Sequence, residues 1–267
     1  MMGFAVNEDD GVRLAFEDTG SGEPLLLVHG TALSKAAWRG LGYQRALTPR
    51  YRVVSLDMRG HGRSDKPHND DAYTTERFMG DIEAVLDACG LQSVHYFGYS
   101  FGARVGLAMA ASREHRLRSL TMLGGTHRSM AGQVGKLFFP DYLEALEVGG
   151  MEEFVRRWNE RRTVAVDPAT RQAFLANDPA ALAAYFRAGE DLPGLDPRAV
   201  RQIQLPVLLI AGSRDHPRAE ESRQAAALLP YGHFAELPGL DHASCLSAQA
   251  DVTALLTGFL ERAHSDR

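Results

Sequence analysis

Cysteine is scarce in this chain. Cys89 and Cys245 are the only two in 267 residues, too few for a disulfide framework or a cysteine zinc site. Free buried thiols in a reducing compartment are expected instead. No apolar run approaches the roughly 20 residues needed to cross a bilayer. Met1–Asp10 lacks a charged segment followed by an apolar one, so no secretory signal is expected. Positive charge is not in excess either: 29 Lys and Arg against 34 Asp and Glu leave −5, with no basic tail or stripe for nucleic acid. Internal repeats and low-complexity segments are missing. These absences predict a cytoplasmic protein, monomer or homodimer, whose partner is a small-molecule substrate rather than a nucleic acid or a membrane.

What is present is ordinary globular composition, 45% hydrophobic and 24% charged, arranged as strands alternating with helices. Gly3–Asn7 and Val12–Asp18 read as an edge hairpin. The continuous apolar run Leu25–Val28 reads as a strand buried on both faces, followed by a helix over Ala36–Leu47. Tyr51–Leu56, Val94–Tyr99, Leu117–Leu123, Pro206–Gly212 and His233–Leu237 read as further strands, with helices over Thr75–Cys89, Ala103–Ala111, Ala219–Leu229 and Ala243–Arg262. Between Thr126 and about Gln204 the alternation lapses into helical patterns such as Met151–Arg162 and Pro179–Ala188. The rhythm predicts an α/β fold with a mostly parallel sheet, and the helical interruption predicts a lid over the sheet's C-terminal edge.

The sheet's centre is marked by Gly98-Tyr99-Ser100-Phe101-Gly102, a Gly-x-Ser-x-Gly pattern between strand and helix. A serine on so tight a turn is lifted clear of the sheet, and a Cβ at Gly98 or Gly102 would collide with neighbouring chain. The new helix aims its free N–H groups at the same place. A serine hydroxyl needs a base, and the base a carboxylate to orient it. Asp215 follows the strand Pro206–Gly212, and His242 follows the last strand, so both are expected on the edge that carries Ser100. Asp241 is the rival acid, but adjacent side chains in an extended loop diverge. The second donor to an oxyanion, beside the Phe101 N–H, is expected from the loop His29-Gly30-Thr31, at Thr31.

Taken together, His29-Gly30-Thr31, Asp57-x-Arg59-Gly60-His61-Gly62-x-Ser64, the serine turn, the Gly212-x-x-Asp215 loop and Asp241-His242 resemble the α/β-hydrolase superfamily over nearly the whole chain. The resemblance is greatest to small capped serine esterases, lactonases, carbon–carbon bond hydrolases and cofactor-free perhydrolase-like enzymes. It implies a doubly wound, mostly parallel sheet of about eight strands. It also implies a core over residues 1–125 and 205–267, with a helical cap over residues 126–204 between two strands. Ser100, Asp215 and His242 would be catalytic, Thr31 and Phe101 would form the oxyanion hole, and no metal or organic cofactor would be needed. Asp57, Arg59 and His61 would be architectural. Trp38, Phe139, Tyr142, Trp158 and Phe186 are candidate substrate-binding residues, although most aromatics at helical spacing pack a core. The Arg156-Arg157 and Arg161-Arg162 pairs, balanced by Glu152, Glu153 and Glu160, read as a solvated helix face rather than a docking site for an acidic carrier. The expected reaction is hydrolysis of a carboxylic ester of a small to medium, mostly apolar substrate. Lactone hydrolysis, carbon–carbon cleavage on the same residues, and a non-catalytic receptor are the alternatives.

Overall fold

Alternate residues of the Leu25–Val28 run face opposite sides of a sheet, and each side has its own apolar core. Leu26 and Val28 join one cluster, with Phe78, Ile82, Phe101 and Val105 from covering helices. Leu25 and Leu27 join the other, with Trp38, Tyr43, Leu256 and Phe259. This is the layering that a run buried on both faces demands. The computed structural model describes residues 1–162, 165–166 and 168–265. Their strands are β1 (Met2–Val6), β2 (Arg13–Thr19), β3 (Glu23–Val28), β4 (Tyr51–Leu56), β5 (Val94–Tyr99), β6 (Leu117–Leu123), β7 (Val207–Gly212) and β8 (Gly232–Leu237). They form one eight-stranded sheet in the order β1-β2-β4-β3-β5-β6-β7-β8. The β1–β2 and β2–β4 pairs are antiparallel and the rest parallel.

From β3 the chain moves outward to β4, then crosses back to β5 and continues the other way through β8. The direction of winding therefore reverses between β3 and β5, and a crevice opens there at the strands' C-terminal ends. The loop His29-Gly30-Thr31 forms one side of this crevice and Ser100 the other.

Two predicted helices prove to be pairs. Ala36–Leu47 is split into Ala36–Gly40 and Tyr43–Leu47, with Gly42 between them at φ 89°. The last helix is split into His242–Ser247 and Gln249–Ser265 at Ala248, whose ψ of 50° is non-helical. The helices Val134–Leu137, Tyr142–Glu160, Pro168–Leu175, Pro179–Asp191 and Pro197–Gln202 lie between β6 and β7. Their apolar residues, Phe154 and Phe186 among them, are continuous with the cluster above β3 and β5. Arg156 and Arg157 are spent on Glu153, Glu160 and Glu144 along the solvated face of Tyr142–Glu160.

The loop after β4 is a brace. Arg59, fully buried, donates to both oxygens of Asp81 at 2.7 and 2.6 Å, to Asp10 at 2.7 Å and to the carbonyl of Ala72 at 2.7 Å. Burial opposes its charge, but the two carboxylates outweigh that and push the guanidinium pKa up. His29 and His61 are neutral crosslinks. Each donates from Nδ1 to a nearby carbonyl, and each Nε2 accepts a backbone N–H at 3.1 Å: Met58 for His29, Ala32 for His61. Burial, and next the neighbouring His29, push the pKa of His61 down to about 3.

Candidate active site

The turn after β5 carries its serine in a conformation that few side chains adopt. Ser100 has φ 53° and ψ −113°, and its N–H is anchored on the Leu123 carbonyl at 2.8 Å. The flanking glycines make this possible. A Cβ on Gly98 would lie 2.6 Å from the backbone of Gly102 and Ala103, and one on Gly102 would lie 2.4 Å from the Val28 carbonyl oxygen. Both obstacles are backbone and neither can step aside. Gly102→Ala is therefore expected to cost about 3 kcal/mol or more of stability, measured by thermal or denaturant unfolding; a near-native midpoint would contradict this account of the turn.

The three polar residues expected at this edge come together. His242 Nε2 is 2.9 Å from Ser100 Oγ, and His242 Nδ1 is 2.7 Å from Asp215 Oδ2. Asp215 is buried and accepts a further bond from Arg218 at 3.1 Å. Burial works against its charge, yet His242 and Arg218 hold its carboxyl below the usual range. His242 is shifted down as well, mainly by desolvation and in spite of the Asp215 carboxylate. The imidazole is thus neutral near pH 7, with Nδ1–H fixed on Asp215 and the Nε2 lone pair left for the serine proton. Its ring stacks on Tyr99, with centroids 5.2 Å apart, and the Tyr99 hydroxyl donates to the His242 carbonyl at 3.0 Å. Asp241 plays another part: its side chain accepts from Ser244 N at 2.8 Å and caps the helix that His242 begins. It has no hydrogen bond to the imidazole.

Phe101 and Thr31 border the cleft beside Ser100. Phe101 is the first residue of its helix, where an N–H has no partner within the helix. The Thr31 loop is held from several directions. Ala32, at φ 58°, gives its N–H to His61 and takes a bond from Asn177 Nδ2 at 2.9 Å. The Thr31 hydroxyl lies 2.7 Å from that of Tyr185, whose ring packs edge-on against Phe101 with centroids 5.1 Å apart. Asn177 and Tyr185 both come from the helical insert, so the insert braces this loop as well as roofing it.

The cleft encloses about 610 Å³, including space open to solvent. Of the five expected substrate-binding side chains, only Phe186 borders it, and the other four expectations are corrected by packing. Trp38 is in the core on the opposite face of the sheet, between Tyr43 and Phe97. Phe139 packs on Phe154, and Tyr142 packs on Phe186 while its hydroxyl donates to Glu190. Trp158 lies against Phe138 and Phe174. The apolar wall is made instead by Met130, Val134, Leu137 and Phe138. Arg104 and Arg218 also border the cleft, and sequence reasoning missed both. The one signal was proximity in the chain, since they fall four residues after Ser100 and three after Asp215. Among the described residues, no cluster of three or more His, Cys, Asp or Glu could hold a metal ion, and no helix is long and apolar enough to cross a membrane.

Residues 23–146 match a family model described as alpha/beta hydrolase fold. Among curated proteins, the chain is similar to a putative 2-succinyl-6-hydroxy-2,4-cyclohexadiene-1-carboxylate synthase of Bacillus subtilis (strain 168). The two are 27% identical over 252 residues, covering 89% of this chain and 90% of the other. It is also 27% identical, over 221 residues, to a 2-hydroxy-6-oxo-6-(2'-aminophenyl)hexa-2,4-dienoic acid hydrolase of Metapseudomonas resinovorans, covering 77% and 72% of the two chains. A solved structure from a study of carboxylesterases of Nitrososphaera gargenis superimposes with a TM-score of 0.87 at 20% identity, covering 99% of this chain and 100% of the other. At that identity the likeness is one of fold.

Proposed function

Since the chain belongs to the α/β-hydrolase superfamily, we propose that this hydrolase cleaves carboxylic esters through an acyl-enzyme on Ser100. The supporting observation is the unbroken chain of hydrogen bonds from Ser100 Oγ through His242 to Asp215. His242 takes the Ser100 proton as Oγ attacks the ester carbonyl, and Asp215 keeps the ring in the required tautomer. The N–H groups of Phe101 and Thr31 receive the developing oxyanion. His242 then protonates the departing alkoxide. Water, deprotonated by the same imidazole, releases the acid and restores the serine.

The test is a short-chain aryl ester assay on the native protein and Ser100→Ala. Release of alcohol in a burst that needs Ser100 supports the reading; equal turnover by both proteins, or by neither, overturns it. A pH profile adds a second check. The reactive imidazole must be neutral, and burial holds its pKa below 6.5. The value of kcat/KM is therefore expected to rise with pH through a limb centred below 6.5. A limb above 6.5 would contradict the downward shift that burial gives His242, and a profile with no such limb would contradict its role as base.

Carbon–carbon bond hydrolysis is the second reading, favoured by the likeness to the dienoic acid hydrolase. A β-diketone-type substrate assayed beside the esters separates the two.

A further inference from the structure

Arg104 lies in the first turns of the helix that follows Ser100, and both residues border the cleft. Its guanidinium donates to the carbonyl of Thr126 at 3.3 Å and to that of Arg128. Among the described residues no carboxylate lies within ion-pair distance of it. Carbonyls satisfy N–H groups but leave the charge uncompensated, and a half-buried guanidinium of this kind is open to an anion from the cleft.

Arg59 provides the contrast within the same molecule. This chain neutralises its fully buried guanidinium with two carboxylates and leaves a half-buried one, on the cleft that its nucleophile also borders, with none. Burial pushes the pKa of Arg104 down to about 10, the opposite of the shift at Arg59. The other charges nearby do not neutralise it. Arg218 is held by Asp215. Glu221 borders the cleft and favours the charge of Arg104 from a distance, without an ion pair. The Tyr185 hydroxyl is committed to Thr31.

We propose that Arg104 binds a carboxylate carried by the substrate, so that the preferred esters are half-esters of short dicarboxylic acids. This rests on Ser100 being the nucleophile. Ser100 and Arg104 border one cleft, so an ester carbonyl at the first and a carboxylate at the second can belong to one short molecule. The apolar wall of Val134, Leu137, Phe138 and Phe186 then receives the rest of the molecule. The mostly apolar substrate expected from the insert's aromatics thereby acquires one charged end.

The experiment uses the full chain and compares monoethyl succinate and monoethyl glutarate with ethyl butyrate and ethyl pentanoate. A second pair, 3-acetoxybenzoate and phenyl acetate, places the carboxylate on the alcohol side. For the native protein the ratio of kcat/KM, charged over neutral, is expected to exceed about 10 for the acyl-side pairs. It should fall towards one in Arg104→Gln and stay partly raised in Arg104→Lys. Added salt should raise KM for the half-esters alone. A native ratio near one, a preference confined to the alcohol-side pair, or equal losses on charged and neutral esters in Arg104→Gln would overturn the assignment. The last of these would leave Arg104 as a brace for the loop at Thr126.

Calorimetric titration of Ser100→Ala with monoethyl succinate separates this inference from the catalytic reading. Binding that is abolished by adding Arg104→Gln, without Ser100-dependent turnover of any ester, would sustain the carboxylate site and sink the catalytic reading. Turnover of neutral esters with no such binding would do the reverse.

Discussion

Ser100→Ala should lower kcat for ester hydrolysis by about 10⁴- to 10⁶-fold while leaving the fold intact. The size follows from how the three side chains work as one unit. Without Oγ there is no nucleophile, and the hydrogen bond at 2.9 Å to His242 has nothing to deprotonate. Rate enhancement then falls back to what substrate binding and the N–H donors of Phe101 and Thr31 can supply. Asp215→Asn should cost about 10⁴-fold by a different route. An amide at this position no longer stabilises the imidazolium formed as Ser100 attacks, and it also loosens Arg218, which now donates to Asp215 at 3.1 Å. Steady-state kinetics on one ester, with circular dichroism to show native folding, checks both. A Ser100→Ala protein that is folded and retains a tenth of the activity would remove Ser100 from the chemistry.

Asp81→Ala should cost about 3–5 kcal/mol of folding stability, read as a drop in the denaturation midpoint. The carboxylate is buried and takes two bonds from Arg59 and one from Asn7 at 2.9 Å. Its removal leaves a guanidinium with no exposure at all and only Asp10 as a charged partner. The damage should reach the site, because the loop that carries Arg59 also carries His61, which holds Ala32 next to Thr31. Asp81→Asn keeps the shape and loses the charge, so it should fall between native and Asp81→Ala. A loss below about 1 kcal/mol in Asp81→Ala would mean that this network is not what fixes the two loops.

The sequence itself determined the elements whose signals are local. The continuous apolar run Leu25–Val28 reads as a strand buried on both faces, and Leu117–Leu123 as a further strand. Gly98 and Gly102 around Ser100 announced a turn that admits no Cβ. The order of Ser100, Asp215 and His242 after three separate strands was enough to expect them on one edge, because parallel strands put all their C-terminal loops on the same side. Tertiary structure alone decided what each aromatic touches. Helical spacing says that Trp38, Phe139, Tyr142 and Trp158 are buried, but not which side of the sheet or which neighbour buries them; packing placed them in cores and brought Phe138 and Phe186 to the cleft. It also decided that Asn177 and Tyr185, far along the chain, would hold the loop around Thr31, and that Arg104 would border the cleft without a carboxylate partner. Such contacts depend on surfaces meeting across long stretches of sequence, and no local period encodes them.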